Sequence, residues 1–210
     1  MKLSILVVSR TPNLLNTLLK SLLSATKIEK NSIEILVSWN GSPEDIASIN
    51  QDIYENFFIT TITPYHFSSN MNTLIKKAKG EFVLFVNDDV ILDPYTLDDS
   101  IKFYRKNKDI GLLGAKLRNQ NGYITHAGVV FNILHRPYHF LEGISYSEDK
   151  IVNQIYPITA VTGALMLTRL QILNKIEFNT NYSVCGEDIE LCLDIREKFN
   201  LEIVYCPMLS

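Results

Sequence analysis

The chain has 210 residues, a formal net charge of −3 at pH 7 and a hydrophobic content of 46%. This length is ample for one domain with a buried core. The slight negative charge argues against a nucleic-acid partner held through its phosphates. The three cysteines, Cys185, Cys192 and Cys206, are odd in number and widely spaced. They predict reduced thiols and therefore a reducing, cytoplasmic compartment.

The amino terminus does not resemble a targeting signal. Residues 1–8 carry one lysine and a short apolar run, which is too brief for a signal peptide or a membrane span. No transmembrane segment is predicted elsewhere in the sequence. Peripheral association with the inner face of a membrane stays open at this stage.

The first half of the chain alternates predicted strands with amphipathic helices. Strands are predicted over residues 3–8, 33–37, 57–62 and 82–86. Thr11-Pro12 predicts the start of a helix, because proline fits the first helical position. Leucines at three- and four-residue spacing then predict a core-facing helix. A second helix is predicted from residue 68 or 69 to 78, followed by the helix-ending Gly80.

The second half has a different pattern. A strand over residues 110–117, a turn at 119–122 and a strand over 123–131 predict a hairpin. Residues 132–156 show weak periodicity and predict a long functional loop. A strand is predicted over 158–167, a helix over 187–199 and a last strand over 201–205. The fold class is therefore α/β, with a mostly parallel central sheet flanked by helices and a small antiparallel portion in the second half.

Asn87-Asp88-Asp89 directly follows the apolar run 82–86. Open α/β sheets bind ligands at the carboxyl ends of their strands, where this motif is expected to lie. Neighbouring carboxylates repel each other unless a cation shares them, and oxygen ligands suit Mg²⁺ or Mn²⁺. The alternative is a strand that runs into an acidic surface turn.

A second acid pair, Glu187-Asp188, opens the helix predicted over 187–199. Asp188 lies on the same helical face as Cys192, Ile195 and Phe199, which is expected to pack inward. A carboxylate placed there could act as a general base. The alternative is that both acids only complement the helix dipole.

Nine segments connect these two acid pairs to a known family. They are LVVSRT (6–11), ILVSWNGS (35–42), FSSNMN (67–72), AKGE (78–81), FVNDDV (85–90), GAKL (114–117), THAGVV (125–130), VTGA (161–164) and EDIELC (187–192). In this order they resemble the family 2 glycosyltransferases, inverting enzymes with a GT-A-type, Rossmann-like fold. Two of the segments, 114–117 and 125–130, are similar to bacterial enzymes that decorate surface polysaccharides.

The resemblance implies roles for both acid pairs. Asp89 would be a direct ligand of Mg²⁺ or Mn²⁺ that bridges the donor diphosphate, with Asp88 beside it. Asn87 takes the first position of the DxD-type motif. Asp188, with Glu187 beside it, would remove the proton of the acceptor hydroxyl in a single displacement with inversion.

The resemblance also implies a nucleotide pocket. Its expected members are Ser9, Arg10, Thr11, Trp39 and Asn72, together with the Asn87-Asp88 motif. Many relatives carry aspartate at the position of Trp39, and an indole N–H cannot accept a hydrogen bond from a base. Trp39 therefore either stacks on the base or packs at the end of the sheet, and packing is favoured.

The function implied is a metal-dependent transfer of a sugar from a nucleotide-diphosphate donor to a glycan or lipid-linked acceptor, in surface polysaccharide synthesis. The domain would cover residues 1–210, with a nucleotide-binding half (1–90) and an acceptor-binding half (91–210). Relatives continue beyond the last predicted strand, often to a metal-binding histidine, so either the carboxyl terminus is truncated or a third metal ligand comes from elsewhere.

Two rival functions remain. One is a glycosyltransferase-like module that binds nucleotide or sugar but is catalytically inactive, as the position of Trp39 and a truncated carboxyl terminus would allow. The other is a nucleotidyltransferase acting on sugar phosphates. It ranks last, because residues 9–13 supply one arginine and no glycine for a phosphate loop.

Overall fold

A computed structural model describes residues 1–62 and 64–210. Strands make up much of this described part. In chain order they are β1 Leu3–Ser9, β2 Ile33–Trp39, β3 Asn56–Thr61, β4 Phe82–Asn87, β5 Ile110–Ala115, β6 Leu117–Arg118, β7 Ile124–His126, β8 Val129–Phe131, β9 Pro137–His139, β10 Tyr156–Pro157, β11 Leu165–Arg169 and β12 Glu202–Cys206.

The α-helices are α1 Pro12–Ala25, α2 Phe67–Ile75, α3 Thr96–Lys106, α4 Leu170–Leu173 and α5 Glu187–Phe199. Short 3-10 helices cover Lys30–Ser32, Pro43–Ser48, Gln51–Ile53 and Lys150–Asn153. In the described ranges, none of the helices has the length and apolar character needed to cross a bilayer.

The central sheet has the strand order β10-β12-β5-β11-β4-β1-β2-β3. β1 pairs in parallel with β2 and β4, β2 with β3, and β5 with β12. β11 is antiparallel to both of its neighbours, β4 and β5. The predicted mixed α/β class, with a mostly parallel sheet, is confirmed.

Helices cover both faces of this sheet, because alternate side chains of each buried strand point to opposite faces. Leu3, Ile5 and Val7 of β1 pack with residues of α1 and α3 on one face. Leu6 of β1 packs with residues of α2, α4 and α5 on the other face. The apolar run of β4 divides in the same way.

The antiparallel portion forms two small sheets, β6 with β7 and β8 with β9. The predicted hairpin is therefore only partly correct. The turn at 119–122 joins β6 to β7, but β8 pairs with the unpredicted strand β9 instead. The predicted loop over 132–156 contains β9 and a 3-10 helix, because its backbone groups find partners across short strands that carry no periodic pattern.

Three further predictions differ from the structure. The strand predicted over 158–167 begins only at Leu165 and continues to Arg169, since residues 161–164 bend towards the edge of the sheet at which β1 and β4 end. The helix predicted to residue 78 ends at Ile75 and continues as a tighter turn. Helix α3 was not predicted at all. Its apolar stripe is confined to Leu97, Ile101 and Tyr104 in a polar sequence.

Gly80 connects α2 to β4 at a point where backbones touch. Its N–H donates a hydrogen bond of 2.7 Å to Ser4 Oγ. A Cβ atom at this position would lie 2.4 Å from the backbone nitrogen of Ser4, far inside van der Waals contact. Only glycine allows this approach, because the neighbouring atoms belong to the backbone of β1.

We therefore expect Gly80→Ala to lower the free energy of unfolding by about 2 kcal/mol or more, since β1 or the connection must move. Denaturant unfolding measures this change. Gly163→Ala is the matched control, because its Cβ would meet its nearest neighbours at an ordinary 3.5 Å. Equal unfolding midpoints for the two variants would contradict the prediction.

Candidate active site

The candidate site lies where parallel strands end. Asn87 closes β4 and Ser9 closes the neighbouring strand β1, with Val8 and Asn87 in register. Both strands present their carboxyl ends to the same edge of the sheet. Because β11 runs in the opposite direction, its amino end and the preceding residues 162–164 reach this edge as well.

A cavity of about 350 Å³ opens beside β1 at this edge. The residues lining it include Ser9, Arg10, Asn87, Asp88 and Asp89. Five of the residues predicted to bind nucleotide or metal therefore surround one space. Thr11 lies one residue beyond Arg10 and donates its N–H to Ser9 Oγ at 3.4 Å, which shapes the loop.

The two aspartates of the motif have different environments. Asp88 is half-buried, and its Oδ2 accepts a 2.6 Å hydrogen bond from Ser9 Oγ. Burial raises the pKa of Asp88 above its ordinary value, the Ser9 hydrogen bond opposes this rise, and the charge of Asp89 adds to it. Asp89 is exposed. The exposed carboxylate is the one that is open to a ligand.

The second acid pair reaches the same edge through the 162–164 segment. Asp188, at the start of α5, accepts a 2.8 Å hydrogen bond from the Gly163 N–H on Oδ2 and one from the Ile189 N–H on Oδ1. Ala164, the residue after Gly163, accepts a 2.9 Å hydrogen bond on its carbonyl oxygen from the backbone N–H of Asn87. This short chain of contacts joins the two acid motifs, which are about a hundred residues apart in sequence.

Glu187 lies next to Asp188 and is partly buried. Burial raises the pKa of Glu187, the charge of Asp188 adds to the rise, and hydrogen bonding to its own backbone N–H together with nearby His66 opposes it. His66 precedes Phe67, which lines the cavity of about 350 Å³ and whose ring lies next to Gly163. Asp188 therefore lies near Phe67 of the cavity wall, although neither acid of the second pair lines the cavity itself.

A larger cavity of about 710 Å³ lies on the other side of the motif. Asn87 and Asp89 line both cavities, so they form the boundary between them. The wall of the larger cavity also includes Lys116 and Arg118, and Arg118 forms a 2.6 Å ion pair with Asp93. Burial lowers the pKa of Lys116, and the neighbouring charge of Arg118 adds to this effect.

Two predicted nucleotide contacts do not agree with the structure. Trp39 is 0% exposed, packs in the core and donates its indole N–H to the carbonyl of Ser42 at 2.9 Å. The packing alternative therefore describes Trp39 correctly. Asn72 is 5% exposed and exchanges two hydrogen bonds with the backbone of Phe178, of 2.8 and 2.9 Å. Its buried amide holds the chain after α4 against α2, and Asn72 does not line the smaller cavity.

The sequence analysis missed several residues that line the smaller cavity, among them Asn40 and Tyr65. Asn40 follows β2 directly, and its Oδ1 accepts a 2.9 Å hydrogen bond from Asn70 Nδ2. Its position at a strand end was a signal that could have identified it. Tyr65 lies in a loop without a periodic pattern, so spacing gave no such signal.

Residues 4–176 match the sequence profile of the family described as glycosyl transferase family 2. Among curated proteins, O-antigen biosynthesis protein RfbC of Myxococcus xanthus is 30% identical over 204 residues, which are 93% of this chain and 16% of RfbC. Uncharacterized protein y4gI of Sinorhizobium fredii is 29% identical and covers 88% of this chain and 21% of its own length.

The chain belongs to glycosyl transferase family 2. It spans only about a sixth to a fifth of the length of these curated relatives. Solved structures agree on the fold. They include S. aureus TarS in complex with UDP-GlcNAc, at 21% identity and a TM-score of 0.63 over 98% of this chain and 56% of that one. The mannosyltransferase PcManGT of Pyrobaculum calidifontis, in complex with GDP-Man and Mn²⁺, is 13% identical. The similarity covers 98% of this chain and 55% of PcManGT, with a TM-score of 0.70.

The donor atoms of this family 2 chain fit a hard divalent cation that a ligand helps to hold. Within the described residues, no group of three or more His, Cys, Asp or Glu side chains is arranged to hold a metal ion. Asp89 and Asp88 do provide carboxylate oxygens at one strand end. Mg²⁺ is commonly bound by one or two carboxylates together with substrate phosphates and waters, which is the donor set that this edge can provide.

A buried histidine supports the 162–164 segment from behind. His126 is 0% exposed, and its Nε2 accepts a hydrogen bond of 3.3 Å from the Thr162 N–H. Its Nδ1 lies 3.1 Å from Nδ1 of His139. Burial, with a smaller contribution from His139, lowers the pKa of His126 to about 3. Neutral His126 thus fixes the peptide that precedes Gly163.

This burial predicts a pH dependence of stability. The folded-state pKa of about 3 lies below the ordinary value of 6.5, so the unfolded chain binds the proton more tightly. Stability from neutral His126 is complete above pH 6.5 and is lost as the pH falls towards 3, by up to about 1.4 kcal/mol per pH unit.

His126→Gln should therefore flatten the decline in unfolding free energy between pH 6.5 and 4.5, as measured by denaturant titration at several pH values. His135→Gln is the matched control, because His135 is exposed and should leave the slope unchanged. Parallel pH profiles for wild type and His126→Gln would contradict the prediction.

Proposed function

We propose that this chain catalyses metal-dependent, inverting transfer of a sugar from a nucleotide-diphosphate-sugar to a glycan or lipid-linked acceptor. One observation carries the proposal. Asn87 and Asp89 separate two cavities at the carboxyl edge of the sheet, and the 162–164 segment connects them to Asp188. A donor on one side and an acceptor on the other would meet at the motif between them.

The smaller cavity is proposed to take the nucleotide. It is lined by the strand ends of β1 and β4 and by the aromatic residues Tyr65 and Phe67. Ser9, Arg10 and Asn40 add polar groups. This assignment agrees with the proposed division of the single domain into a nucleotide-binding half over 1–90 and an acceptor-binding half over 91–210.

Charge in the smaller cavity supports a requirement for a cation. Asp88 and Asp89 line it, and Arg10 is its single cationic side chain among the described residues. A diphosphate would add further negative charge next to the two carboxylates. Asp89, assisted by Asp88, would hold Mg²⁺ or Mn²⁺ together with the donor phosphates, and the ion would stabilise the negative charge of the departing diphosphate.

Asp188 is proposed to remove the proton of the acceptor hydroxyl. The two backbone N–H bonds fix its carboxylate, and each oxygen retains a lone pair for a hydroxyl hydrogen. The deprotonating acceptor oxygen would attack the anomeric carbon as the bond to the diphosphate breaks, which inverts that centre. Neighbouring Glu187 would contribute electrostatically.

The acceptor is proposed to enter the larger cavity of about 710 Å³. The similarity to RfbC, an O-antigen biosynthesis protein, supports a role in surface polysaccharide synthesis. Similar solved structures were obtained with both UDP- and GDP-sugars, and the proposal therefore names the nucleoside diphosphate that the two share. A cytoplasmic location is part of the proposal and rests on the free thiols of Cys185, Cys192 and Cys206.

The cation proposal predicts that metal and nucleotide strengthen each other's binding. We expect Mn²⁺ to increase affinity for UDP or GDP about tenfold or more in wild type, and Asp89→Asn to abolish this increase, because the carboxylate charge is lost. Isothermal titration with Mn²⁺ and with EDTA measures it. Asp99→Asn, at an exposed position of helix α3, should behave as wild type. Equal affinity in EDTA would refute the cation requirement.

The base proposal predicts a different effect at the second acid pair. Asp188→Asn should leave nucleotide binding unchanged but slow sugar transfer about 100-fold or more, because the amide cannot take up the proton. The donor is first chosen by screening nucleotide-sugars for Mn²⁺-dependent thermal stabilisation of the protein. The rate of sugar transfer is then measured by the release of nucleoside diphosphate from that donor.

The matched control is Asp194→Asn on the same helix, where Asp194 only pairs with Lys198. Wild-type turnover in Asp188→Asn would remove Asp188 from the mechanism. Nucleotide binding without turnover by wild type, with any donor and also in a longer form of the protein, would instead favour the inactive binding module.

A further inference from the structure

The hairpin formed by β8 and β9 carries apolar side chains into solvent. We call residues 132–136, which connect the two strands, the hairpin tip. Ile133 is 95% exposed and Leu134 is 66% exposed, and Tyr138 on β9 is 50% exposed. Two adjacent aliphatic side chains with this exposure at the end of a projecting element are unusual on a surface that contacts only water.

Four of the five backbone N–H groups of the hairpin tip donate hydrogen bonds within the tip. Asn132 Oδ1 accepts from the N–H groups of Leu134 and Arg136, at 2.9 and 3.0 Å. The Asn132 carbonyl accepts from the His135 N–H at 2.9 Å, and the Asn132 N–H donates to the Arg136 carbonyl at 3.1 Å. The tip can therefore leave water without exposing these donors, which is the main cost of placing a loop in a lipid environment.

The charge of this element also differs from that of the whole chain. Residues 131–138, FNILHRPY, contain Arg136 and His135 but no acid, whereas the chain has a net charge of −3. Both side chains are exposed. A cation beside exposed aliphatic groups suits an anionic lipid headgroup, and the amphipathic ring of Tyr138 suits the interface between headgroups and acyl chains.

The base of the hairpin is fixed to the wall of the larger cavity. Val129 of β8 donates its N–H to the Ala160 carbonyl at 2.8 Å. His139 of β9 contacts buried His126, and the carbonyl of Thr125, a residue of the cavity wall, lies 3.1 Å from His139 Nδ1. The tip is thus held in a fixed direction from the cavity.

We propose that the hairpin tip docks this chain on the surface of an anionic phospholipid bilayer, with Ile133 and Leu134 inserted among the lipids and Arg136 at the headgroups. The contact does not depend on sugar transfer. If the proposed function also holds, it would bring the larger cavity to the membrane, where a lipid-linked acceptor presents its head.

The test is co-sedimentation of the 210-residue chain with sucrose-loaded vesicles of phosphatidylcholine, with and without phosphatidylglycerol. We expect salt-sensitive binding to the anionic vesicles only. Ile133→Ser with Leu134→Ser should lower binding about tenfold or more, because the inserted apolar surface is lost. Arg136→Ala should lower it about fivefold, as expected for one interfacial cation.

Val184→Ser is the matched control, since Val184 is 87% exposed but lies in the loop before α5. It should bind as wild type, and all variants should unfold at the wild-type temperature because the replaced side chains are exposed. Absence of binding by wild type, or unchanged binding by the double variant, would overturn the proposal. So would a dimer in solution that the double variant dissociates, because the tip would then be covered by a second copy of the chain.

Discussion

The antiparallel insertion of β11 between β4 and β5 is the constraint on which the candidate site depends. A parallel strand would have its carboxyl end at the edge where β1 and β4 end. Because β11 is antiparallel, residues 161–164, which precede it, lie at this edge instead. This approach requires a glycine in β5. A Cβ on Gly114 would lie 2.1 Å from Val161 Cγ1, so any larger residue would push the segment away from the sheet. The position of the Gly163 N–H, and with it the orientation of Asp188, follows from that packing.

The two acid pairs are supported in different ways, and this matches the different chemistry proposed for them. Asp88 lies at a strand end and is fixed by the hydroxyl of Ser9 on the next strand, while exposed Asp89 remains open to a ligand. Asp188 is held at the start of α5 by backbone N–H groups. Backbone donors of this kind cannot change rotamer, so the carboxylate proposed as the base is more rigidly oriented than the carboxylate proposed to bind a cation that also exchanges water.

Periodic patterns determined how much of this could be predicted from the sequence. Helix α5 was predicted with its observed ends and β4 with its apolar core, because both have strong regular spacing. Strand β8 lies within the predicted strand 123–131, but the three-residue strand β9 leaves no periodic pattern, so its residues were predicted as part of a loop. Asn72 looked like a ligand-binding residue within a family motif, but the amide is used to bind the backbone of Phe178. The sequence shows which residues lie near the ends of the strands. Only tertiary packing decides which of their side chains face a cavity and which are buried in the core.

The two cavities have the same excess of one acidic side chain but differ in how their charges are paired. In the smaller one, the carboxylates of Asp88 and Asp89 outnumber Arg10, so an anionic nucleotide has a net repulsion to overcome and a cation is needed to offset it. In the larger one, Lys116 and Arg118 face Asp89, Asp93 and Glu148, and Arg118 is already paired with Asp93. Acids outnumber cations by one here as well, so a difference in net charge does not assign the two cavities. The larger wall offers many hydrogen-bonding groups to sugar hydroxyls, and the proposed assignment of donor and acceptor rests on the position of the motif between the cavities.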